Sequence, residues 1–565
     1  MNDSSNSMLG RRSFIKSLGL GTAALTTGTL APFATSCSGD GGKEKEAAPV
    51  EEPPVLQIGD DIAVASTAYG RVKGYIMNGV YTFMGIPYGA DTSGKNRFMP
   101  PVKPQPWDGI LPTVFLPNSA PQNMPYPREP NSYAAFVDHW NYDLFSEDCL
   151  RLNVWTNGLA DGKKRPVIVW FHGGGYSNGN LMEQDGYHGE NLAKQGDIVF
   201  CSVNHRLNAF GFSDLSVVGG EKYKLSGNVG ALDMVAALEW IHENIANFGG
   251  DPGNVTIIGQ SGGGAKVCVL ASMPQAKGLV HKAVALSGTA INGTNKKLSG
   301  MLGEYILKEA GLKKGEVDKL QELPWKDYLD IANRALSKMR QENADAAVGF
   351  SPVGDGICLP EGTFFSEPLP DAPDIPILFC TTFHEQSISR TDAALERMTK
   401  DEAVGFLQKR YGDQAKNIVD SYAMNFPDAK PVELVDLILS NRSRVVAAAE
   451  AKKHQTSPVY VAWFGWCPPL FDGRMRAFHC LDICFWFLNT DRMVTHTGGG
   501  ERPRKLSKMM AEALLQFART GDPNGGSLPK WDEFSVEKGE TMILNDTCEM
   551  VLDPDRQARH ALPQS

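Results

Sequence analysis

The stretch "VTIIGQSGGGAKV", Val255 to Val267, constrains the fold more than any other part of the chain. A β-branched run that meets a glycine cluster and then a helix-compatible sequence has to turn sharply from strand to helix. Two chemistries use such a turn. A phosphate-cradling loop needs four residues between its glycines, then Lys followed by Ser or Thr, so that the amine reaches the outer phosphates and the hydroxyl holds magnesium. Gly259 and Gly264 have that separation, but Ala265 stands where the lysine belongs and Lys266 is followed by Val267. The other use is a turn that presents a nucleophilic serine, Gly-x-Ser-x-Gly, with small neighbours around a strained serine backbone. Gly259, Gln260, Ser261, Gly262 and Gly263 fit that pattern, with "VTII" as the strand.

The flanking sequence has a matching rhythm. "RPVIVWFHGGG", "DIVFCSVNHRL", "IPILFCTTFHEQ" and "SPVYVAWFGW" contain short continuous apolar runs, as expected of strands buried on both faces. "ALDMVAALEWIHENIANFGGDPGN" spaces its apolar residues as a helix does and ends on a Gly-Gly-Asp-Pro stop. The alternation predicts an α/β fold with a mainly parallel central sheet flanked by helices. "IAVASTAYGRVKGYIM" and "VYTFMGIPYG" add a short antiparallel sheet at the N-terminal side. Residues 313–343 and 399–453 read as mainly helical outer layers, and "KLSKMMAEALLQFARTGDPNG" as a closing amphipathic helix stopped after Thr520. At 565 residues with 42% hydrophobic content the chain can bury a large core, and it shows no internal repeat.

The N-terminus reads as an address. Arg11, Arg12, Phe14 and Lys16 precede a mildly apolar stretch softened by Gly and Thr, which resembles a twin-arginine export signal. Cys37, after Ala34, Thr35 and Ser36, resembles a bacterial lipobox with a relaxed −3 position, so residues 1–37 are expected to direct export and Cys37 to take a lipid. Residues 38–60, "SGDGGKEKEAAPVEEPP" and its continuation, read as a flexible acidic linker. Residues 61–565 are then the catalytic domain of an exported bacterial protein, periplasmic or anchored to the envelope. A net charge of −10 argues against nucleic acid as a partner, and membrane contact is expected only through the N-terminal lipid. The ten cysteines are not spaced as a metal site. Cys201, Cys268 and Cys380 sit among apolar residues and read as small buried hydrophobes.

A serine hydroxyl is a weak nucleophile until a base removes its proton, so the elbow requires a histidine and an acid to orient it. The oxyanion formed on attack needs donors, and "FHGGGYSNG" offers the N–H groups of a glycine turn directly after a strand. At this point the chain resembles the type-B carboxylesterases, the family of para-nitrobenzyl esterases and cholinesterases. The shared stretches run from "FMGIPYG" through "SEDCLRLNVW", "VNHRLNAFGF", "GNVGALDMVAALEWIHENIANFGGDPGNVTIIGQSGGG" and "ALSGTA" to "FARTGDPNG" and "LPKWDEF". The resemblance implies an α/β-hydrolase fold with Ser261 as nucleophile, Glu385 as acid and His479 as base. It implies an oxyanion hole from the N–H groups of Gly174, Gly175 and Gly262. Glu147, Asp148 and Arg206 fall in family motifs with a structural role, a buried charge network, and Ser287 in one with a hydrogen-bonding role behind the site residues.

The chain also departs from the family. The acid's "GTxxxEG" context has Cys380 and Gln386 in place of its glycines, and Asp374 is the competing acid, though it precedes the strand. His384, His454 and His496 are the other downstream histidines, none in a matching context. Gln260 stands where cholinesterases carry a glutamate, which weakens the case for cationic substrates. Cys149 has the family's disulfide motif, but no cysteine precedes it except Cys37, so it is expected as a free thiol. The loop from Pro121 to Phe145 is then held by packing alone at the rim of the site. The function expected is hydrolysis of a small-molecule carboxylic ester through an acyl-enzyme, with no metal and no organic cofactor required. Activity should rise with pH through about 6 to 7, because a neutral imidazole is the base. Two other readings share the fold: hydrolysis of amides or lactones with the same triad, and a non-catalytic binding protein. The oligomeric state is not legible.

Overall fold

The computed structural model describes residues 54–123, 144–343 and 347–563. Within them the continuous apolar runs form strands buried almost throughout, and these assemble into one twelve-stranded sheet. In chain order its strands are β1 (Leu56–Gln57), β2 (Tyr75–Met77), β3 (Val80–Pro87), β4 (Arg151–Thr156), β5 (Arg165–Phe171) and β6 (Val199–Val203). There follow β7 (Gly250–Gln260), β8 (Lys282–Leu286), β9 (Ile377–Thr382), β10 (Val459–Phe464), β11 (Glu540–Leu544) and β12 (Glu549–Leu552). Side by side they run β1-β2-β3-β4-β6-β5-β7-β8-β9-β10-β11-β12. The block from β6 to β11 is parallel throughout. The N-terminal strands and β12 pair antiparallel at the two edges. A small separate sheet pairs Val64–Thr67 antiparallel with Gly70–Lys73, which Ile110–Pro112 joins in parallel.

Successive side chains of a strand point to opposite faces, and here each face has its own core. Val167, Val169, Phe171 and Ile257 join one cluster, with Met234, Leu238 and Ile241 of the helix Val229–Asn244 and Val267 of the helix Gly262–Leu270. Ile168, Trp170 and Ile258 join the other, with Leu506, Met510, Leu514 and Phe517 of the helix Glu501–Thr520. Each such side chain contributes about 1.5–3 kcal/mol on burial, so the central strands are clamped from both sides. A third cluster gathers Leu407, Ile418, Val435 and Ile438 of the 400–438 helices around Trp463.

Four differences from the sequence reading are informative. The sheet starts ahead of the expected boundary at 61, because Leu56 and Gln57 pair with Met77 and Ile76; the last residues of the expected linker belong to the fold. The helix Glu501–Thr520 stops at Gly521 as expected, at φ 84°, but does not close the chain, since β11 and β12 extend the sheet after it. In 313–343 the long helix begins only after Pro324, at Trp325. Glu147, Asp148 and Arg206 form three separate pairs instead of one network. Arg97–Glu147 and Arg206–Asp233 are buried, while Asp148 meets Arg151 in a half-exposed pair. The readings for residues 1–37, for Cys37, for most of 38–60 and for nearly all of the 121–145 loop lie outside the described residues. No described helix is long and apolar enough to cross a membrane.

The parallel block positions the site. The glycine turn follows β5, Ser261 follows β7, Glu385 lies three residues beyond β9, and His479 is on the long connection that leaves β10. All four stand at the carboxyl ends of neighbouring or near-neighbouring strands, the edge where open α/β sheets place their ligands.

Candidate active site

Ser261 joins β7 to the helix Gly262–Leu270 at φ 57° and ψ −124°. A residue with a side chain holds a conformation of this kind only where its surroundings over-determine it, at a cost of about 1–3 kcal/mol. Here they do. Ser261 donates its N–H to Leu286 O at 2.8 Å, and its own carbonyl accepts from Ala265 N at 3.1 Å. The glycines leave room for nothing else: a Cβ on Gly288 would stand 1.7 Å from Ser261 O, one on Gly263 2.1 Å from Phe171 O, and one on Gly259 2.4 Å from Gly263 O.

The glycine turn lies over the same spot. Gly174 and Gly175 have φ 77° and 63°, and the turn is closed by Ser177 and Asn178 donating to Gly174 O at 3.2 and 3.1 Å. A Cβ on Gly173 would lie 3.5 Å from Ser261 Cβ, and one on Gly262 2.5 Å from Gly175 N. Turn and elbow therefore meet backbone to backbone. Among the described residues no acceptor takes the N–H of Gly174, Gly175 or Gly262, so these three donors are open to an incoming oxygen.

Opposite them Glu385 is buried, and its Oε2 meets His479 Nδ1 in a short contact. The other carboxylate oxygen accepts from the Thr381 hydroxyl and from Thr382 N at 3.1 Å. The two loops are also tied through the backbone, His479 N to Glu385 O at 3.2 Å and His384 N to Ala477 O at 3.1 Å. In the neutral ring, with Nδ1–H donating to Glu385, the imidazole has an Nε2 lone pair for accepting a proton. Gln260 flanks the ring, with Nε2 3.2 Å from His479 Nε2 and 3.3 Å from Nδ1, and its Oε1 accepts from Cys480 Sγ at 3.3 Å. No hydrogen bond joins the Ser261 hydroxyl to His479 among the described residues; such contacts often tighten only with substrate bound.

The electrostatics follow from this packing. Burial pushes the Glu385 carboxyl up, but the imidazole of His479 and then the hydroxyl of Thr381 outweigh it and hold the group below the usual range. Burial likewise pushes His479 down, and Cys480 together with Glu385 pulls it well above the usual imidazole value. Asp482, three residues on, is driven up to about 7, chiefly by burial and then by the nearby Glu385.

The remaining candidates go elsewhere. Asp374 serves Lys452, at 2.9 Å, and the N–H groups of Thr456 and Ser457. His384 is buried with its Nδ1 unpaired, His454 is exposed, and His496 packs edge-on against Phe478. The nine cysteines described, Cys149, Cys201, Cys268 and Cys380 among them, are free thiols. Sequence reasoning missed Thr381, Ser387, Arg476 and Cys480 around Glu385 and His479, and the tie that Lys266 makes behind Ser261. Cys480 alone left a trace, since it directly follows His479. Among the described residues no group of three or more His, Cys, Asp or Glu is arranged to hold a metal ion.

Comparison with known proteins is consistent across three approaches. The sequence model described as "Carboxylesterase family" matches residues 61–561. The para-nitrobenzyl esterase of Bacillus subtilis is 33% identical over 505 residues, 88% of this chain and 98% of that protein. The phenmedipham hydrolase of Pseudarthrobacter oxydans is 31% identical over 86% of this chain and 95% of its own. Among solved structures, an esterase from Clostridium hathewayi, described as able to hydrolyse aliphatic aromatic polyesters, superposes with a TM-score of 0.75 at 33% identity, covering 89% of this chain and 98% of that one.

Proposed function

The chain belongs to the carboxylesterase family and is a carboxylic ester hydrolase, and from that premise we propose that it works through Ser261, Glu385 and His479 by way of an acyl-enzyme. The observation that carries this reading is the hydrogen-bonded Glu385–His479 pair beside a serine held at an elbow backbone. Ser261 Oγ attacks the ester carbonyl carbon while His479 Nε2 takes its proton. The carbonyl oxygen becomes an oxyanion that accepts from the N–H groups of Gly174, Gly175 and Gly262, each worth roughly 3 kcal/mol of barrier. Collapse breaks the C–O bond, and the departing alkoxide takes the proton from His479. Water then attacks the acyl carbon and gives its proton to the same nitrogen; the acyl C–Oγ bond breaks, the acid leaves, and His479 returns that proton to Ser261 Oγ. Glu385 stays ionised and keeps the imidazole in the tautomer that each half needs.

Gln260 puts a neutral amide beside the imidazole, which favours neutral esters over cationic ones. The test is hydrolysis of a short-chain aryl ester by the wild type beside Ser261→Ala, with a loss in turnover on the order of a millionfold expected. Equal rates for the two proteins overturn the assignment. All three triad positions are filled in the sequence, which speaks against the non-catalytic reading. We propose further that residues 1–37 direct export and that Cys37 carries a lipid anchor. Cys37→Ser should then move the protein from the membrane fraction to the soluble one, and an unchanged distribution rejects the anchor.

A further inference from the structure

Lys266, the lysine that no phosphate loop could use, has its side chain wholly buried. Its Nζ donates to His172 O at 2.8 Å across 94 residues of sequence. Lys266 lies on the second turn of the helix that Ser261 caps, and His172 is the residue that leads into Gly173, Gly174 and Gly175. One side chain therefore ties the nucleophile's helix to the turn that carries two of the three oxyanion donors. An apolar side chain of similar length would fill the space without the cost of burying an amine, so the amine calls for a use.

The groups facing it are few. The imidazoles of His172 and His205 stack with ring centroids 5.2 Å apart, and burial holds both well below the usual value. Glu183, which accepts from Tyr187 Oη at 2.8 Å, is the carboxylate whose charge supports the ammonium. Burial pushes Lys266 down to about 7 against that pull.

We propose that Lys266 is a positioning residue for the hydrolysis described above: its ammonium grips the His172 carbonyl, holds the glycine turn over Ser261, and sets a positive charge behind the oxyanion. The inference rests on the Ser261 reading. A charge held there favours the anionic intermediate over the neutral ester, so its effect falls on kcat and not on KM.

The experiment compares wild type, Lys266→Met, Lys266→Gln and Ser261→Ala on a short-chain aryl ester from pH 6 to 10, with an aryl trifluoromethyl ketone as a probe of the tetrahedral adduct. Lys266→Met should lower kcat about 10- to 100-fold with KM within about threefold, and weaken the ketone by a similar factor. Lys266→Gln keeps a donor without a charge and should fall between. The wild-type kcat should begin to fall from about pH 7 upward, where Lys266 loses its proton, and the Gln variant should hold its plateau there. Lys266→Met and Lys266→Gln both retaining wild-type kcat, a loss confined to KM, or the same alkaline limb in wild type and Lys266→Gln would overturn the proposal. If neither variant folds by circular dichroism, a wild-type kcat that stays flat from pH 7 to 10 overturns it. An active Ser261→Ala is a different outcome, which removes the triad reading itself.

Discussion

The two sides of the site are held by opposite means. Around Ser261 and the glycine turn, backbone lies against backbone and side chains are almost absent; an added Cβ at Gly259, Gly263 or Gly288 would stand 2.4 Å or less from another main-chain atom. Around Glu385 and His479 the loops are laced by side chains. Ser387 Oγ donates to Met475 O at 2.7 Å, and Arg476 Nη1 donates to Ser389 Oγ at 2.6 Å. Arg476 also pairs with Glu396 at 2.8 Å and Glu433 at 3.2 Å. The first side is set mainly by steric exclusion, which is all or none, with the Lys266 side chain as an added tie. The second is set by a sum of polar contacts, each worth about 1 kcal/mol net, and so should weaken by steps.

The contrast can be broken or sharpened by substitution. Glu385→Gln keeps the shape of the acid but removes the charge that orients His479, and should lower kcat by about 10⁴-fold with little change in stability; steady-state kinetics beside thermal denaturation would separate the two. Gly288→Ala, whose Cβ would stand 1.7 Å from Ser261 O, should cost about 4 kcal/mol or more of stability, and activity should be lost together with cooperative unfolding in urea. Arg476→Met removes one lacing residue and should lower kcat only about tenfold, as the step-by-step view requires. A collapse as severe as that of Gly288→Ala would erase the distinction between the two sides.

The smallest effect is a shift in pH. His479 is held above the usual imidazole value, and in the proposed mechanism only its neutral form takes the Ser261 proton, so the rise in kcat/KM with pH should lie above about 6.5. This moves the limb upward from the 6 to 7 expected on sequence alone. Removing the Glu385 charge leaves only Cys480 to offset burial, so the residual activity of Glu385→Gln should show its rise at lower pH than the wild type. A pH–rate profile of each protein checks the sign.

The same contrast explains what the sequence disclosed. The elbow and the glycine turn are contiguous motifs because local backbone geometry demands glycines at fixed offsets, so the turn around Ser261 and the run Gly173 to Gly175 could be read directly as motifs, while the choice of donors within them came with the resemblance. The parallel strands were equally legible, since burial on both faces leaves unbroken apolar runs such as "VIVWF" and "ILFC". Glu385 and His479 carry no local signature, and resemblance had to supply them. Arg476 and Ser387 were invisible because their partners lie 43 to 88 residues away and any surface arginine or serine looks the same. Lys266 was read only as a failed phosphate ligand, since nothing near it in sequence points to His172.

Covalent trapping of Ser261 tests the central claim most directly. The intact protein treated with a fluorophosphonate, digested and mapped by mass spectrometry should carry one adduct on the peptide containing "GQSGGG", at Ser261, with fluoride displaced and ester hydrolysis lost in proportion. Labelling should vanish in Ser261→Ala. Full inhibition with the adduct on another residue, or undiminished hydrolysis after complete labelling of Ser261, would contradict the account.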